Sequence, residues 1–264
     1  MNGIGQWTLV SFLIEKLNLG GTMSATLITF GGILLCIVIP YLLGSVNFGL
    51  IISNKKYHDD IRTHGSGNAG TTNMLRTYGK RAAICTMLGD MLKAVIAVGL
   101  GYLIVGVNAL VVEPDGLTYR MVDNFGAAIA GLFVMLGHMF PIFFKFKGGK
   151  GVATSAMVIL MISPITFLCC FLVFVIVVVG TRYVSLGSVM GMSLFPVILN
   201  AWSRAYDPPR NSTANMISIV MEVLVIYMHR ENLKRLLAGT ERKISFKKSK
   251  PAEGDAPAQP TEKK

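Results

Sequence analysis

Charge is what this sequence has least of. Asp, Glu, Lys and Arg together make up 15 % of its 264 residues, against about 25 % in soluble domains. A chain so poor in charge cannot clothe a water-facing surface, and this excludes an ordinary soluble domain. Four cysteines are too few and too apolar in setting for a disulfide framework: Cys36, Cys85, Cys169 and Cys170 all lie inside hydrophobic runs, where thiols act as small hydrophobes. No spacing of Cys, His, Asp and Glu suits a metal, and no cofactor is called for. The N-terminus has neither a basic n-region nor an Ala-x-Ala site, so a removed signal peptide is not expected. Acidic residues are scarce, 14 against 25 basic ones, for a net charge of +11. The bases fall between apolar runs and in the tail rather than among aromatics on an amphipathic surface. That pattern speaks against nucleic acid and for loops facing anionic lipid, and it also suits an anionic substrate.

What the sequence has in quantity is apolar length: 52 % hydrophobic residues and a mean hydropathy of +0.57. A helix needs about 20 apolar residues to span a bilayer. Candidate spans are Leu27–Ser53, Ala82–Gly106, Phe125–Phe144, Val152–Gly180, Val184–Ala201 and Ala214–Met228. The positive-inside rule places Lys55–Arg81, the loop with Lys145, Lys147 and Lys150, and the region after Met228 in the cytoplasm, and Val107–Asn124 outside. Six single spans leave the basic tail on the wrong side. Breaking the fourth run at Pro164 restores parity, because proline removes a donor and biases Ser163 out of the helical region. The expectation is an all-α polytopic membrane protein of about seven transmembrane helices, some short or broken. Residues 1–26 form a non-cytoplasmic segment whose apolar patch (Trp7–Ile14) is too short to cross, 27–244 the membrane domain, and 245–264 a disordered basic cytoplasmic tail.

Polar residues concentrate in three breaks on the cytoplasmic side. The first, Asp60–Arg76, packs Gly65, Gly67 and Gly70 among Ser66, Asn68, Thr71, Thr72 and Asn73, flanked by Arg62 and Arg76. Glycines allow close backbone approach to an anion, and guanidinium forks suit phosphate; a flexible loop is the plain alternative. In the second, Gly148, Gly149, Lys150 and Gly151 precede a helix N-terminus, which favours an anion. It is not a Walker A loop, since Gly151 follows Lys150 where Ser or Thr is required. In the third, His229, Asn232 and Arg235 recur every three residues along one helix face. Arg182–Ser185 is a fourth, shorter break. Asp90 and Lys93 are charged inside the second span, as either a structural ion pair or part of a polar wall.

Read together, these residues resemble the acyl-phosphate:glycerol-3-phosphate acyltransferases of bacteria, the PlsY family. The matches are Gly65-Ser-Gly-Asn-x-Gly-x-Thr-Asn-x-x-Arg76, Lys147-Gly-Gly-Lys-Gly-Val-Ala-Thr154 and His229-x-x-Asn-x-x-Arg235 with Gly239 and Glu241; Gly44–Gly49 and Arg182–Ser185 look like family segments as well. The family's usual residues differ at Asn47 and Leu233. The resemblance covers about residues 40–243. It implies transfer of a fatty acyl group from acyl phosphate to glycerol 3-phosphate, giving lysophosphatidic acid and phosphate, without a metal or cofactor. It further implies a multi-pass protein of the bacterial inner membrane with its site facing the cytoplasm. Partners are then acyl phosphate, glycerol 3-phosphate, membrane lipids and, as a further candidate, the enzyme supplying acyl phosphate.

Carried over by motif, Ser66, Arg76, Lys150, His229 and Asn232 are expected to be catalytic. Asn68, Thr72, Asn73, Gly148, Gly149, Gly151, Ser185 and Arg62 are expected to bind substrate or phosphate. Arg76 and Lys150 would clamp phosphate, and His229 would serve as base or binder. A His followed by four residues and then Asp, the signature of another acyltransferase class, does not occur. A transporter of an organic phosphate or anion is the alternative, but no internal repeat supports it.

Overall fold

The computed structural model describes residues 8–17, 22–105, 108–112, 119–123, 125–205 and 212–244. The elements are α1 (Leu9–Lys16), α2 (Thr22–Ser45), α3 (Phe48–Tyr57), α4 (Thr71–Ile104), β1 (Asn108–Val112), β2 (Tyr119–Asp123), α5 (Phe125–Met139), α6 (Val152–Ile162), α7 (Pro164–Thr181), α8 (Val184–Ser193), α9 (Phe195–Arg204), α10 (Ser212–Met228) and α11 (Arg230–Leu237). Five stretches, Ser24–Tyr57, Thr71–Ile104, Phe125–Phe144, Pro164–Thr181 and Val184–Arg204, are long and apolar enough to cross a membrane. Two shorter apolar helices, Val152–Ile162 and Thr213–Met228, complete the seven expected segments. On α7, Leu168, Leu172, Ile176 and Val179 point outward. A helix apolar on all sides with so much of it unburied belongs in lipid.

The break at Pro164 falls where parity required it. α6 ends at Ile162, Ser163 turns extended (φ −151°), and Pro164 opens α7. The Ser163 hydroxyl lies 2.8 Å from that of Thr166 and accepts from its N–H; proline at the first helical position has no N–H left over.

Two boundaries differ from the sequence reading. The first span is split at Val46 and Asn47, where the Asn47 side chain accepts from Leu50 N–H at 3.1 Å and starts α3. Asparagine offers the backbone this alternative partner, and the cap outweighs the apolar continuity of the run. The second span begins at Thr71 rather than Ala82, so the last third of the first polar stretch belongs to α4. At 1.5 Å per residue α4 is about 50 Å long, against a hydrocarbon core of about 30 Å. Its polar first turns therefore stand outside the core, and Gly79 (φ +83°) marks the kink between the two parts.

The all-α expectation holds for the spans, but β1 and β2 pair antiparallel between α4 and α5, with Leu110 opposite Met121. Val111, Val112 and Tyr119 favour extended backbone, which the sequence reading passed over. The hairpin sits at the far end of α4 from its polar turns. At the N-terminus α1 is eight residues long, too short to cross, and Thr8 caps it through Ser11. The remainder of residues 1–26 other than 8–17 and 22–26, and the tail from 245, lie outside the described residues.

Helices approach closely where side chains vanish. A Cβ on Gly44 of α2 would stand 2.1 Å from the Val134 carbonyl of α5, and one on Gly137 would stand 2.1 Å from the Tyr41 carbonyl. Such contacts between small residues are how membrane helices pack without a hydrophobic drive. Around them Val98, Val134, Met135, Val158, Phe195, Leu199, Met221 and Val225 form the main buried cluster. The result brings the starts of α4, α6 and α8 and the end of α10 around one cavity.

Candidate active site

That cavity holds about 610 Å³ and has two distinct ends. Its polar end is lined by Ser66, Asn68, Thr72, Arg76, Lys150, Ser185, His229, Asn232, Arg235, Glu241 and Arg242. Its other end runs between α4, α6 and α7 and is lined by Met87, Met91, Ala156, Ile159, Phe167, Phe171 and Phe174. Phe167 stacks on Phe171 and Phe171 on Phe174 at ring separations of 5.6 and 6.2 Å.

The first polar segment is shaped by Asn73, which is 2 % exposed. Its side-chain nitrogen donates to the carbonyls of Ile61, His64 and Asn68 at 3.1, 3.0 and 2.9 Å, while its oxygen accepts from Ser66 N–H at 3.0 Å. Asn73 thus folds the loop, with Gly65 and Gly67 turning at positive φ, and leaves Ser66 exposed at the cavity. Arg62 is committed elsewhere. It grips Asp60 through Nε and Nη2 at 2.9 and 2.7 Å and donates to the Phe144 and Lys147 carbonyls at 3.1 and 3.2 Å. It ties the first segment to the second and lines a separate cavity with Gly148.

In the second segment the Gly148 and Gly149 amides donate to the carbonyls of Met139 and His138, each at 3.1 Å. These amides are therefore internal supports, not the free phosphate donors expected. Gly151, in the left-handed region at φ +81°, turns the chain into α6 and lines the main cavity together with Lys150. The Lys150 ammonium donates to the Asn232 side-chain oxygen in a very short contact.

The third segment supplies the opposite wall. His229 stands at the junction of α10 and α11, 2 % exposed, with Nδ1 2.8 Å from the Val225 carbonyl. A carbonyl only accepts, so Nδ1 carries the proton and Nε2 presents a lone pair. Glu241 is the hub of this wall. It accepts from Asn232 Nδ2 at 2.6 Å, Ser185 Oγ at 2.8 Å and Arg235 Nε at 2.8 Å. One carboxylate thereby joins α8, α11 and the segment after α11. Arg76 Nη2 donates to the Arg242 carbonyl at 3.3 Å and joins α4 to the same segment.

Burial pulls the Lys150 ammonium down to about 8; the charge of Glu241 opposes this, and those of Arg235 and Arg76 add to it. Burial likewise lowers the His229 imidazole to about 4, with Lys150 contributing and the Val225 hydrogen bond and Glu241 opposing. Partial burial works to raise the Glu241 carboxyl. The hydrogen bonds from Asn232, Arg235 and Ser185 together outweigh it and hold the group below its usual value. At neutral pH the polar end therefore holds neutral His229 beside Lys150, Arg76, Arg235 and Arg242, with Glu241 shared among its neighbours. Such a surplus of cations fits phosphate.

Of the residues expected from sequence, Ser66, Asn68, Thr72, Asn73, Arg76, Lys150, Gly151, Ser185, His229 and Asn232 meet at this cavity, while Arg62, Gly148 and Gly149 stand behind it. Glu241, Arg235 and Arg242 were not among the expected site residues. The first two belong to the third motif, and their spacing from Asn232 was the available signal. The Phe167, Phe171 and Phe174 row was also missed; at i, i+4 and i+7 it reads as an ordinary lipid-facing stripe.

Comparison with known proteins gives the family of the chain. The model of the family described as glycerol-3-phosphate acyltransferase matches residues 34–239. A glycerol-3-phosphate acyltransferase of Clostridioides difficile (strain 630) is 43 % identical over 211 residues, 80 % of this chain and 95 % of the relative. One from Paraburkholderia phytofirmans is 38 % identical over 227 residues, 86 % of this chain and 96 % of the relative. Among solved structures, the crystal structure of PlsY, an integral membrane glycerol 3-phosphate acyltransferase, in its glycerol 3-phosphate form superposes with a TM-score of 0.67 at 35 % identity. It covers 81 % of this chain and 96 % of that one. The lysophosphatidic acid form gives 0.66 at 33 %, covering 81 % and 95 %. The matches span the cavity-forming helices and all three polar segments, and the chain belongs to the glycerol-3-phosphate acyltransferase family.

Proposed function

We propose that the chain transfers a fatty acyl group from acyl phosphate to glycerol 3-phosphate at the cytoplasmic face of the bacterial inner membrane, releasing lysophosphatidic acid and phosphate. The two-ended cavity carries this reading. A cationic end for phosphate opens directly onto an apolar slot between membrane helices, which is the shape of a molecule with an acyl chain on one side and a phosphate on the other. The forms in which the related PlsY was crystallised, with glycerol 3-phosphate and with lysophosphatidic acid, support the same acceptor and product here.

Two phosphate-bearing substrates repel one another, and the site offsets this with Lys150, Arg76, Arg235 and Arg242. Lys150 and Arg76, from opposite sides, clamp phosphate oxygens and hold the glycerol hydroxyl against the acyl carbon; positioning of this kind is a large share of a transfer barrier. Ser66 and Thr72 donate to phosphate or to the oxyanion that develops on the acyl carbonyl, and Asn68 lies beside them. Asn232 and Ser185, held by Glu241, shape the wall facing Lys150. The hydroxyl oxygen bonds to the acyl carbon as the bond from that carbon to the phosphate oxygen breaks. His229 Nε2 accepts a hydrogen bond from the attacking hydroxyl and aims it. With a value near 4 it is a weak base at pH 7, so the departing phosphate is the better final acceptor of the proton.

The test is purified protein in detergent with palmitoyl phosphate and glycerol 3-phosphate, following phosphate release and lysophosphatidic acid. Activity with acyl phosphate and none with acyl-CoA is expected. Turnover with acyl-CoA alone overturns the donor assignment, and no acylation of glycerol 3-phosphate by either donor overturns the reading as a whole. No observation of the structure favours the transporter alternative.

A further inference from the structure

Beneath the Gly148–Gly151 turn lies a buried charged cluster that the proposed mechanism does not use. Asp90 and Lys93 of α4 and His138 of α5 are 1, 4 and 4 % exposed. The Lys93 ammonium is 2.7 Å from Asp90 Oδ1, 3.0 Å from His138 Nδ1, and 2.9 Å from each of the Gly44 and Val46 carbonyls. The ammonium thus donates to two carbonyls and pairs with the Asp90 carboxylate, while His138 Nδ1 also lies 3.4 Å from Asp90 Oδ1. The cluster spans the break between α2 and α3, the middle of α4 and the end of α5.

Its upper side is the underside of the phosphate-facing turn. The His138 carbonyl accepts from Gly149 N–H, and that of its neighbour Met139 accepts from Gly148 N–H. The imidazole lies directly under the turn: a Cβ on Gly149 would fall 2.0 Å from His138 Nε2. Lys150 is the next residue. Charges at this depth are costly unless paired, and a plain helix tie would not require one of them to press against a catalytic loop.

We infer that the Asp90–Lys93–His138 cluster positions the Gly148–Gly151 turn, and through it fixes where the Lys150 ammonium stands. Asp90 and Lys93 hold the imidazole in one orientation, and the imidazole fixes the height of Gly149. Asp90 and His138 also border the cavity; the role inferred for them is positioning, exerted on substrate through Lys150. The inference rests on the proposed role of Lys150 for its effect on catalysis, but the placement itself can be read without any turnover.

The experiment is His138→Gln in the full-length protein in detergent, with two readouts beside a thermal unfolding curve. One is the titration of Lys150, obtained by competitive labelling with a small amine-reactive reagent across pH 6 to 11 and peptide mass analysis. In the native protein it should titrate near 8, facing Asn232, Glu241, Arg235, Arg76 and His229. In a folded His138→Gln protein the turn relaxes toward water, and the titration should rise toward the ordinary 10.5. The other is kcat/KM for glycerol 3-phosphate, expected to fall 10- to 100-fold, as for other groups that orient a site residue from behind. An unchanged Lys150 titration in a folded variant overturns the inference, whatever happens to activity. If His138→Gln does not fold, the paired neutral change Asp90→Asn with Lys93→Met is read in the same way. Failure of both to fold overturns it too, by showing that the cluster only ties helices together. Because the labelling needs no substrate, a wrong acyl donor would leave this outcome intact.

Discussion

Lys150 is the residue on which the electrostatics of the site converge, and its ionisation sets a measurable limit. With the ammonium near 8, the free protein loses the charge as pH rises through that value, and with it one phosphate clamp. kcat/KM for glycerol 3-phosphate should therefore fall about tenfold per pH unit above 8, because that ratio reports the free enzyme. A bound phosphate favours the charged form, so the limb in kcat should lie at higher pH. Lys150→Arg removes the limb, since guanidinium does not titrate in this range, whereas Lys150→Ala should cost at least about 100-fold at pH 7, as losses of one charge-stabilising donor do. Rates from pH 6 to 10 check all three; an alkaline limb that survives in the Arg variant assigns it to another group. The sequence made Lys150 conspicuous through its glycines, but not its depressed titration. That value comes from burial and from the charges of Arg235 and Arg76, against the opposing charge of Glu241, and the proximity of these groups is a fact of folding. Nor could the sequence tell that Arg62 is taken by Asp60 and two carbonyls.

At the scale of the helices, glycine spacing and slot shape give separate predictions. Gly44→Val places carbon 2.1 Å from a backbone carbonyl that cannot move without α5, whereas Gly31 and Gly99 have nothing within 4 Å. Gly44→Val should yield little folded protein, while Gly31→Ala and Gly99→Ala should unfold within a few degrees of the parent in detergent. Equal stability of all three would mean α2 and α5 do not cross as described. The slot is read through Ala156 of α6, which lines it opposite the Phe167–Phe174 row. Ala156→Leu adds three carbons and takes up room that about three methylenes would fill. At about 0.8 kcal/mol per buried methylene, the ratio of long-chain to short-chain acyl phosphate turnover should fall on the order of 50-fold. An unchanged ratio would place the acyl chain elsewhere. Element boundaries were legible where a single residue enforced them, as at Pro164. They were not where a polar side chain capped a helix inside an apolar run, as Asn47 does, or where polar residues continued a helix, as Thr71–Arg76 do.

For the molecule as a whole, the arrangement of seven segments decides which side of the membrane the site faces. The residues between Lys55 and Arg81 include Lys55, Lys56, Arg62, Arg76, Lys80 and Arg81, whereas 107–124 contains Arg120 against Glu113, Asp115 and Asp123. By the positive-inside rule that asymmetry supports the proposed orientation, with the first group inside. The hydrogen bonds between Arg76 and the Arg242 carbonyl, Lys150 and Asn232, and Ser185 and Glu241 then require α4, α6, α8 and α11 to present their polar ends to that same side. Parity thus couples the orientation of the first loop to that of the last helix, and one measurement tests both. In a cysteine-free background, Lys234→Cys on α11 and Ala109→Cys in the hairpin report opposite faces. A membrane-impermeant maleimide added to intact cells stripped of any outer barrier should label Ala109→Cys and leave Lys234→Cys untouched until the membrane is opened. Labelling of both from one side would break the parity argument. It would then separate the third polar segment from the first, which no site built from Arg76, Lys150 and His229 could survive.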